Sequence, residues 1–338
     1  MAAMSLGAED RIHQWLRQKL RRQGFHSVGD DGAILPAGGP WAVTQDQQIE
    51  GVHFPARTDP ALIARRLLAV NLSDLAAMGA EPAFAFLALS CPPDFDIRRL
   101  LSSFLVACSR YDVELAGGDL SQNDRVTSSV TLLGTRFSGG RWLKRSHGEP
   151  GDSLWIAGDL GLSAIGRRLV EIGACHSGRR VQLPAAPHLT VREETLARKA
   201  VRRHLIPQPQ LAASRWLALR RRAAAIDVSD GLSLDLHRLC RESVVGAQID
   251  ESCLSTEANF QQLCLKLQLQ PLATILAGGE DYALLFSLPP RVRPPAMLGC
   301  RKIGRLDAAP DVWLISKGKS LPLPARGWDH FDSATVAS

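Results

Sequence analysis

No apolar run in the 338 residues approaches the ~18 needed to cross a bilayer, and the opening stretch from Met1 to Gln23 lacks the apolar core of a cleavable leader. A cytoplasmic chain is expected. Cysteine is sparse, at positions 91, 108, 175, 240, 253, 264 and 300, with no CxxC pair, which excludes a disulfide framework or a zinc site and predicts buried thiols in a reducing compartment. Aromatic residues total 6%, too few to interleave with basic residues as a strand-binding groove requires. The 40 basic against 34 acidic residues leave a net charge of +6. They fall in scattered pairs (Arg65-Arg66, Arg98-Arg99, Arg179-Arg180, Arg202-Arg203) and one run, Arg220 to Arg222. Such pairs read as solvated helix faces, and no nucleic acid is expected as a partner. The familiar phosphate cradles are missing too: there is no P-loop, no GxGxxG after a first strand and no protein-kinase HRD or DFG.

What is present is ordinary globular composition, 45% hydrophobic and 22% charged, over a length that suggests two domains. Ile12, Trp15, Leu16 and Leu20 at helical spacing, stopped by Gly24, predict an amphipathic helix over residues 9–23. Short β-like runs at 33–35, 41–44 and 83–90 then surround one strong helix, capped by Asp59, started by Pro60 and ended at Gly79. A helix over 94–111 leads to a strand expected to stop at Gly117-Gly118-Asp119, and a β run covers 126–134. Gly148-Glu149-Pro150-Gly151-Asp152 breaks both periodicities and marks the boundary. Beyond it come a strand at 153–157, a helix from Ser163, and β runs at 223–228 and 282–288. The reading is α/β (α+β): an N-terminal helical extension 1–27, an N-terminal domain 28–147 and a C-terminal domain 148–338.

Asp recurs where strands or helices end: Gly29-Asp30-Asp31, Thr44-Gln45-Asp46, Asn71-Leu-Ser-Asp74, Gly117-Gly118-Asp119, Asp227-Val-Ser-Asp230-Gly231 and Gly278-Gly279-Glu280-Asp281. Any one alone is turn or cap chemistry. Two resist that reading. Asn71 and Asp74, at i,i+3, put two oxygen groups on one face of an apolar helix. Asp227 and Asp230 end an apolar strand, where α/β folds place ligands. Carboxylates converging in a cleft need cations, and oxygen-only ligands favour Mg²⁺, which keeps room in its shell for phosphate oxygens. The Gly158-Asp-Leu-Gly161 turn opening a helix is read as a plain strand-to-helix turn.

The ordered series formed by Gly29-Asp30-Asp31, Asp46 with Gly51-Val-His53-Phe54, Ala69-Val-Asn-Leu-Ser-Asp-Leu-Ala-Ala-Met-Gly-Ala80, Gly117-Gly118-Asp119, Lys144-Arg145-Ser146, Ile226-Asp-Val-Ser-Asp-Gly-Leu232, Gly278-Gly-Glu-Asp-Tyr282 and Gly327-Trp-Asp-His-Phe331 resembles that of the bacterial thiamine-monophosphate kinases. The resemblance implies a two-domain fold like that of aminoimidazole ribonucleotide synthetase, with an N-terminal sheet that pairs across a homodimer. It implies transfer of the ATP γ-phosphate to thiamine monophosphate, with several Mg²⁺ ions and ATP as co-substrate. Carried over on matching motifs, Asp30, Asp31, Thr44, Asp46, Asp74, Asp119, Asp227 and Asp230 become metal ligands. Tyr111, Gly118, Asp119, Arg145 and Ser229 would meet ATP, and His53, Glu280 and Trp328 the thiamine phosphate, while Asp74, Asp230 and Arg145 carry the transfer itself.

The chain departs from the family pattern at Gln45, Gln47, Leu120, Gln210 and Leu234, and the bulk of Gln45 and Gln47 is expected to shift the metal cluster. Other readings stand beside the kinase. One is a different ATP-dependent reaction on the same fold, disfavoured because neither end carries the Cys that some of those enzymes use. Another is a binding module without turnover, motivated by the two Gln residues.

Overall fold

Asp59 and Pro60 start the long helix as the sequence predicts. The Asp59 carboxylate accepts the Ala61 N–H at 2.9 Å, and Pro60 fills the first turn, where no N–H is needed. The helix, α1, spans Pro60–Ala77, and the chain leaves it through Gly79 in the left-handed region, at φ 66°. The structure is a computed structural model that describes residues 33–35, 40–177, 180–254 and 257–329. The expected helix over 9–23, together with Asp30 and Asp31, lies outside those residues.

Five strands form the first sheet: β1 (Ala33–Leu35), β2 (Trp41–Ile49), β3 (Ala80–Cys91), β4 (Glu114–Gln122) and β5 (Thr127–Arg136), in the order β1-β2-β5-β3-β4. Only β3 and β4 run parallel, as a strand pair joined through a helix must; that helix, α2, is Ile97–Arg110. Alternation along the strands gives the sheet two unlike faces. Ala42, Ala85, Leu87, Leu89, Val130 and Leu132 are buried beneath α1 and α2. The intervening Trp41, Val43, Phe84, Phe86 and Leu133 stand on the open face, where the Trp41 and Phe84 rings lie 5.9 Å apart.

The second half contains β6 (Ser153–Ala157), α3 (Leu162–Glu171), the hairpin β7–β8 (Cys175–Ser177, Arg180–Gln182), α4 (Val191–Leu205), α5 (Leu211–Ala218), β9 (Ala224–Val228), α6 (Leu232–Ser243) and β10 (Gly246–Asp250). Then follow α7 (Glu251–Leu254), α8 (Ala258–Lys266), α9 (Pro271–Ala277), β11 (Ala283–Leu288), β12 (Arg301–Asp307), β13 (Val312–Ser316) and β14 (Lys319–Pro322). Its sheet runs β14-β13-β10-β12-β6-β11-β9, with the hairpin apart. The two halves share α1, an apolar helix buried all round. Ile63, Leu67, Leu72 and Leu75 pack under the first sheet, Leu62 joins the core of the second, and Ala77 packs with Leu143, Ala157 and Leu217.

Three sequence expectations change. The strand expected to stop at Gly117-Gly118-Asp119 runs on to Gln122; a Cβ on Gly117 would stand 3.2 Å from the Phe86 ring, so this glycine makes room for a neighbour instead of ending the strand. Cys91, Cys108, Cys240 and Cys264 are buried, but Cys175 and Cys253 are exposed, because the thin β7–β8 hairpin and the single-turn α7 have no interior of their own. Arg66, read from sequence as part of a solvated pair, is 2% exposed.

The α3–α4 contact depends on Gly166, where a Cβ would come within 2.7 Å of both the Ala200 carbonyl carbon and His204 Cβ. Gly166→Ala is expected to push the helices apart and cost about 1–3 kcal/mol, as overpacking usually does, read as a lowered urea midpoint at unchanged slope.

Candidate active site

The polar residues of α1 face the seam between the two halves. Thr44 and Asp46, one pleat apart on β2, turn toward the helix: the Thr44 hydroxyl donates to the Asp74 carboxylate, and the Asp46 N–H donates to Asn71 Oδ1 at 3.1 Å. Asn71 Nδ2 in turn donates to the Leu67 carbonyl at 2.9 Å, which fixes the amide orientation. The i,i+3 pair singled out in the sequence therefore does share one face, and that face meets β2. On the neighbouring side of the helix, Ser73 Oγ donates at 2.8 Å to Asp227 Oδ2, at the end of β9 in the second half. Asp227 is only 3% exposed. Gln45 and Gln47 are exposed and lie on the opposite face of β2 from Thr44 and Asp46, as the two-residue period requires. Their bulk is directed away from the cluster.

Beyond β9 the chain turns through Ser229, Asp230 and Gly231, and three distant segments meet there. The Glu280 N–H donates to the Ser229 carbonyl at 2.6 Å, and the Trp328 N–H to the Asp230 carbonyl at 2.9 Å. Gly327 allows that approach, since a Cβ there would collide with the Asp230 carbonyl and stand 2.8 Å from Leu234 Cβ. The Asp230 carboxylate is ion-paired to Arg238, which also reaches Asp235 Oδ1 at 3.0 Å. Asp235, fully enclosed, accepts the N–H groups of Asp230 at 3.0 Å and Gly231 at 3.2 Å. Burial pushes its carboxyl up to about 7, against the opposing pull of the Arg238 and Arg145 charges. Arg145 begins the 3-10 turn Arg145–His147, and its carbonyl is tied down by the Ser243 hydroxyl. Glu149, four residues on, pairs with Arg222 at 3.1 Å.

A further group was not legible as functional. The buried Arg66 guanidinium donates to Gln48 Oε1 at 2.8 Å, to the His204 carbonyl and to Glu280 Oε1. His204 Nδ1 stands 3.3 Å from the other Glu280 oxygen. Burial holds His204 below its ordinary pKa, so it meets Glu280 as a neutral N–H donor. Burial also opposes ionisation of Glu280, but the Arg66 charge, followed by the His204 hydrogen bond, outweighs it and holds the carboxyl far below its usual range. The Glu280 backbone is left-handed, at φ 56°, a conformation sustained here by the fixed surroundings. Tyr282, at 8% exposure, lies within the electrostatic reach of Arg66, Glu280, Asp46 and Asp227, which places it among these groups. The signal for Arg66 was the one used for Asn71 and Asp74, a polar residue interrupting an apolar helix.

Other expected residues make contacts of their own. His53 Nδ1 accepts the Ile49 N–H at 3.0 Å in the turn closing β2, and half-buried Tyr111 caps α2 with its N–H on the Cys108 carbonyl at 3.0 Å. Asp119 pairs with Ala88 across β3 and β4, and Ser121 Oγ, two residues on, lies 2.7 Å from Ser90 Oγ. This register puts Asp119 on the open face of the first sheet, away from Thr44, Asp46 and Asp74, with Gly118 beside it. At Gly161–Ser163 the anion is supplied internally: Asp281 accepts both N–H groups, at 2.6 and 3.1 Å.

Among the described residues no three carboxylate, His or Cys side chains close into a finished metal cage. Thr44, Asp46, Asp74 and Asp227 nevertheless supply only oxygen side-chain donors around one helix. That donor set fits a hard cation whose shell is shared with water and phosphate.

The family model described as AIR synthase related protein, N-terminal domain, matches residues 29–136. Thiamine-monophosphate kinase of Salmonella typhimurium is 34% identical over 319 residues, covering 90% of this chain and 91% of that protein. The Escherichia coli (strain K12) thiamine-monophosphate kinase is 35% identical over 322 residues with the same coverage. Among solved structures, AaThiL complexed with AMPPCP and TMP matches with a TM-score of 0.80 at 28% identity, covering 98% of this chain and 100% of that one.

Proposed function

The chain belongs to the thiamine-monophosphate kinase family, and from that premise we propose that it transfers the γ-phosphate of ATP to the phosphate of thiamine monophosphate, releasing ADP and thiamine diphosphate. The observation that carries this reading is the seam itself. Thr44, Asp46, Asn71, Asp74 and Asp227 gather their oxygens where the two halves meet, within reach of the segments bearing Ser229 and Glu280. Thr44, Asp46, Asp74 and Asp227 would hold Mg²⁺, which when bound neutralises phosphate oxygens and lowers the repulsion between an anionic donor and an anionic acceptor. Asp30, Asp31 and Asp230 belong to the same ligand set by resemblance, whereas Asp119, on the opposite face of the first sheet, stands outside it.

The residues of the chain then have positioning work. Arg145 and Ser229 orient the ATP phosphates, Arg145 by a fork that two oxygens can share. Glu280 keeps its charge through Arg66 while its side chain stays 24% exposed, which suits an anionic edge presented to a cationic heterocycle. Trp328 offers a face for stacking and His53 a ring nitrogen. No base is needed, since the acceptor phosphate oxygen is already largely ionised near neutral pH. The γ-phosphorus exchanges its bond to the ADP oxygen for one to the acceptor oxygen.

The open face bearing Trp41, Phe84 and Phe86 calls for a cover. A second copy of the chain, in a homodimer, supplies it in this reading. Tyr111, Gly118 and Asp119 would then meet ATP at the subunit boundary. The units 28–147 and 148–338 are the two bodies that enclose the substrates. Among the described residues no helix is long and apolar enough to cross a membrane, and a cytoplasmic location is part of the same proposal.

The direct test is to incubate the full chain with ATP, thiamine monophosphate and Mg²⁺ and to separate the products. Equal amounts of ADP and thiamine diphosphate are expected. ATP consumption without thiamine diphosphate overturns the assignment.

A further inference from the structure

The run Arg220 to Arg222 and the residues around 136–149, Arg145 apart, have no part in the site above, yet the fold brings them to one place. They line a cleft of about 1160 Å³, a little above the usual range of small-molecule sites. Arg136, Arg141 and Lys144 therefore converge with the run 220–222.

Two of these cations are structural. Arg222 is paired with Asp152 at 2.8 Å and Glu149 at 3.1 Å, and Arg220 lies 4.6 Å over the Trp216 ring while donating to the Trp216 carbonyl. The side chains of the other four, Arg136, Arg141, Lys144 and Arg221, make no hydrogen bond or ion pair among the described residues. Four uncompensated positive charges around one cavity repel one another, and an anion between them relieves that repulsion. The wall is not only charged: Trp142, Leu143, Leu219 and Val292 give it an apolar side. An open cleft with a single aromatic in its wall suits a compact ligand better than a strand, which needs a continuous basic track with repeated stacking platforms.

We propose that this cleft is a second binding site, separate from the site of phosphoryl transfer, for a small molecule of the nucleotide class: two or three adjoining phosphates held by Arg136, Arg141, Lys144 and Arg221, with a ring against Trp142. Thr44, Asp46, Asp74, Asp227, Asp230 and Glu280 are all absent from its lining. Arg145 is absent too, although Lys144 and Ser146 on either side of it are present, and its charge acts instead on Asp235.

Isothermal titration of ADP into the full chain in the presence of EDTA tests the assignment, because a site made of Arg and Lys needs no metal. One ADP per chain is expected. Affinity should fall at least tenfold in the triple variant Arg136→Ala/Arg141→Ala/Arg221→Ala and persist in Asp74→Asn. Inorganic tripolyphosphate should compete, whereas adenosine should not. The triple variant should turn over thiamine monophosphate at the parent rate, which separates failure of this site from failure of the kinase reading and shows that the variant folds. The proposal is overturned by absence of metal-free binding, by binding that the triple variant leaves unchanged, or by a single-stranded RNA oligonucleotide that binds more tightly than ADP through the same residues.

Discussion

Asp74→Asn is expected to lower the turnover number for thiamine diphosphate formation by about 10³-fold, the scale on which loss of one group that stabilises transition-state charge is felt. The substitution is mild in every other respect. An asparagine carbonyl can still accept the Thr44 hydroxyl hydrogen bond, and the backbone of α1 is untouched. What disappears is a negative charge at the seam, and with it a ligand for the cation that offsets the phosphate charges. The loss should therefore fall on kcat more than on KM for thiamine monophosphate, and the thermal midpoint should stay near that of the parent. Steady-state kinetics at saturating Mg²⁺ check the first part, and calorimetry the second. Unchanged kcat would remove Asp74 from the reaction.

Arg66→Met is the most destabilising single change expected, at about 3–5 kcal/mol, because removing one partner of a buried pair leaves the other charge stranded. Methionine retains the length of the side chain and its packing but gives up the donors to Gln48, His204 and Glu280. His204 does not compensate, since burial keeps it neutral. Adding Glu280→Gln should recover part of the loss, as the double-mutant cycle for a direct pair predicts.

The pH dependence follows from the sign of the shift. Glu280 is held below its ordinary 4.5, so the folded state binds fewer protons than the unfolded chain as that value is approached from above. Its contribution to stability is complete above the ordinary value and is lost as pH falls through and below it. Urea midpoints measured from about pH 7 down to about pH 3 should show this acid loss in the parent and a flatter profile in Arg66→Met/Glu280→Gln. An equally steep profile in the double variant would assign the acid lability to other carboxylates.

How much of this was legible in the sequence depended on the range of the interaction. The Asp59 cap, Pro60 and the strand Ser153–Ala157 follow from local chemistry, and all stand in the structure as read. Asn71, Asp74 and Asp227 stood out because polar residues interrupted apolar runs, and the fold does bring them to one seam. Arg66 obeys the same rule but was hidden by Arg65 beside it, since a charged pair on a helix ordinarily marks a wet face. The direction of Asp119 depends on the pairing of β4 with β3, a contact across more than one element. The basic cleft gathers residues from 136–149, 219–223 and 289–292, and no local period encodes such a meeting.

The long helix α1 has a consequence for how the molecule comes apart. By connectivity it belongs with the first sheet, but its burial is divided, with Leu62 in one interior and Leu72 in the other. Arg66 and Ser73 fasten it to residues more than a hundred positions away. The place where the chain can be cut on paper is therefore not a place where its cohesion can be cut. Severed near residue 148, the first part would keep a helix stripped along one side, and the second would lose a wall of its core. Melting is accordingly expected to be a single event shared by both sheets, with α1 as the common member whose release ends both.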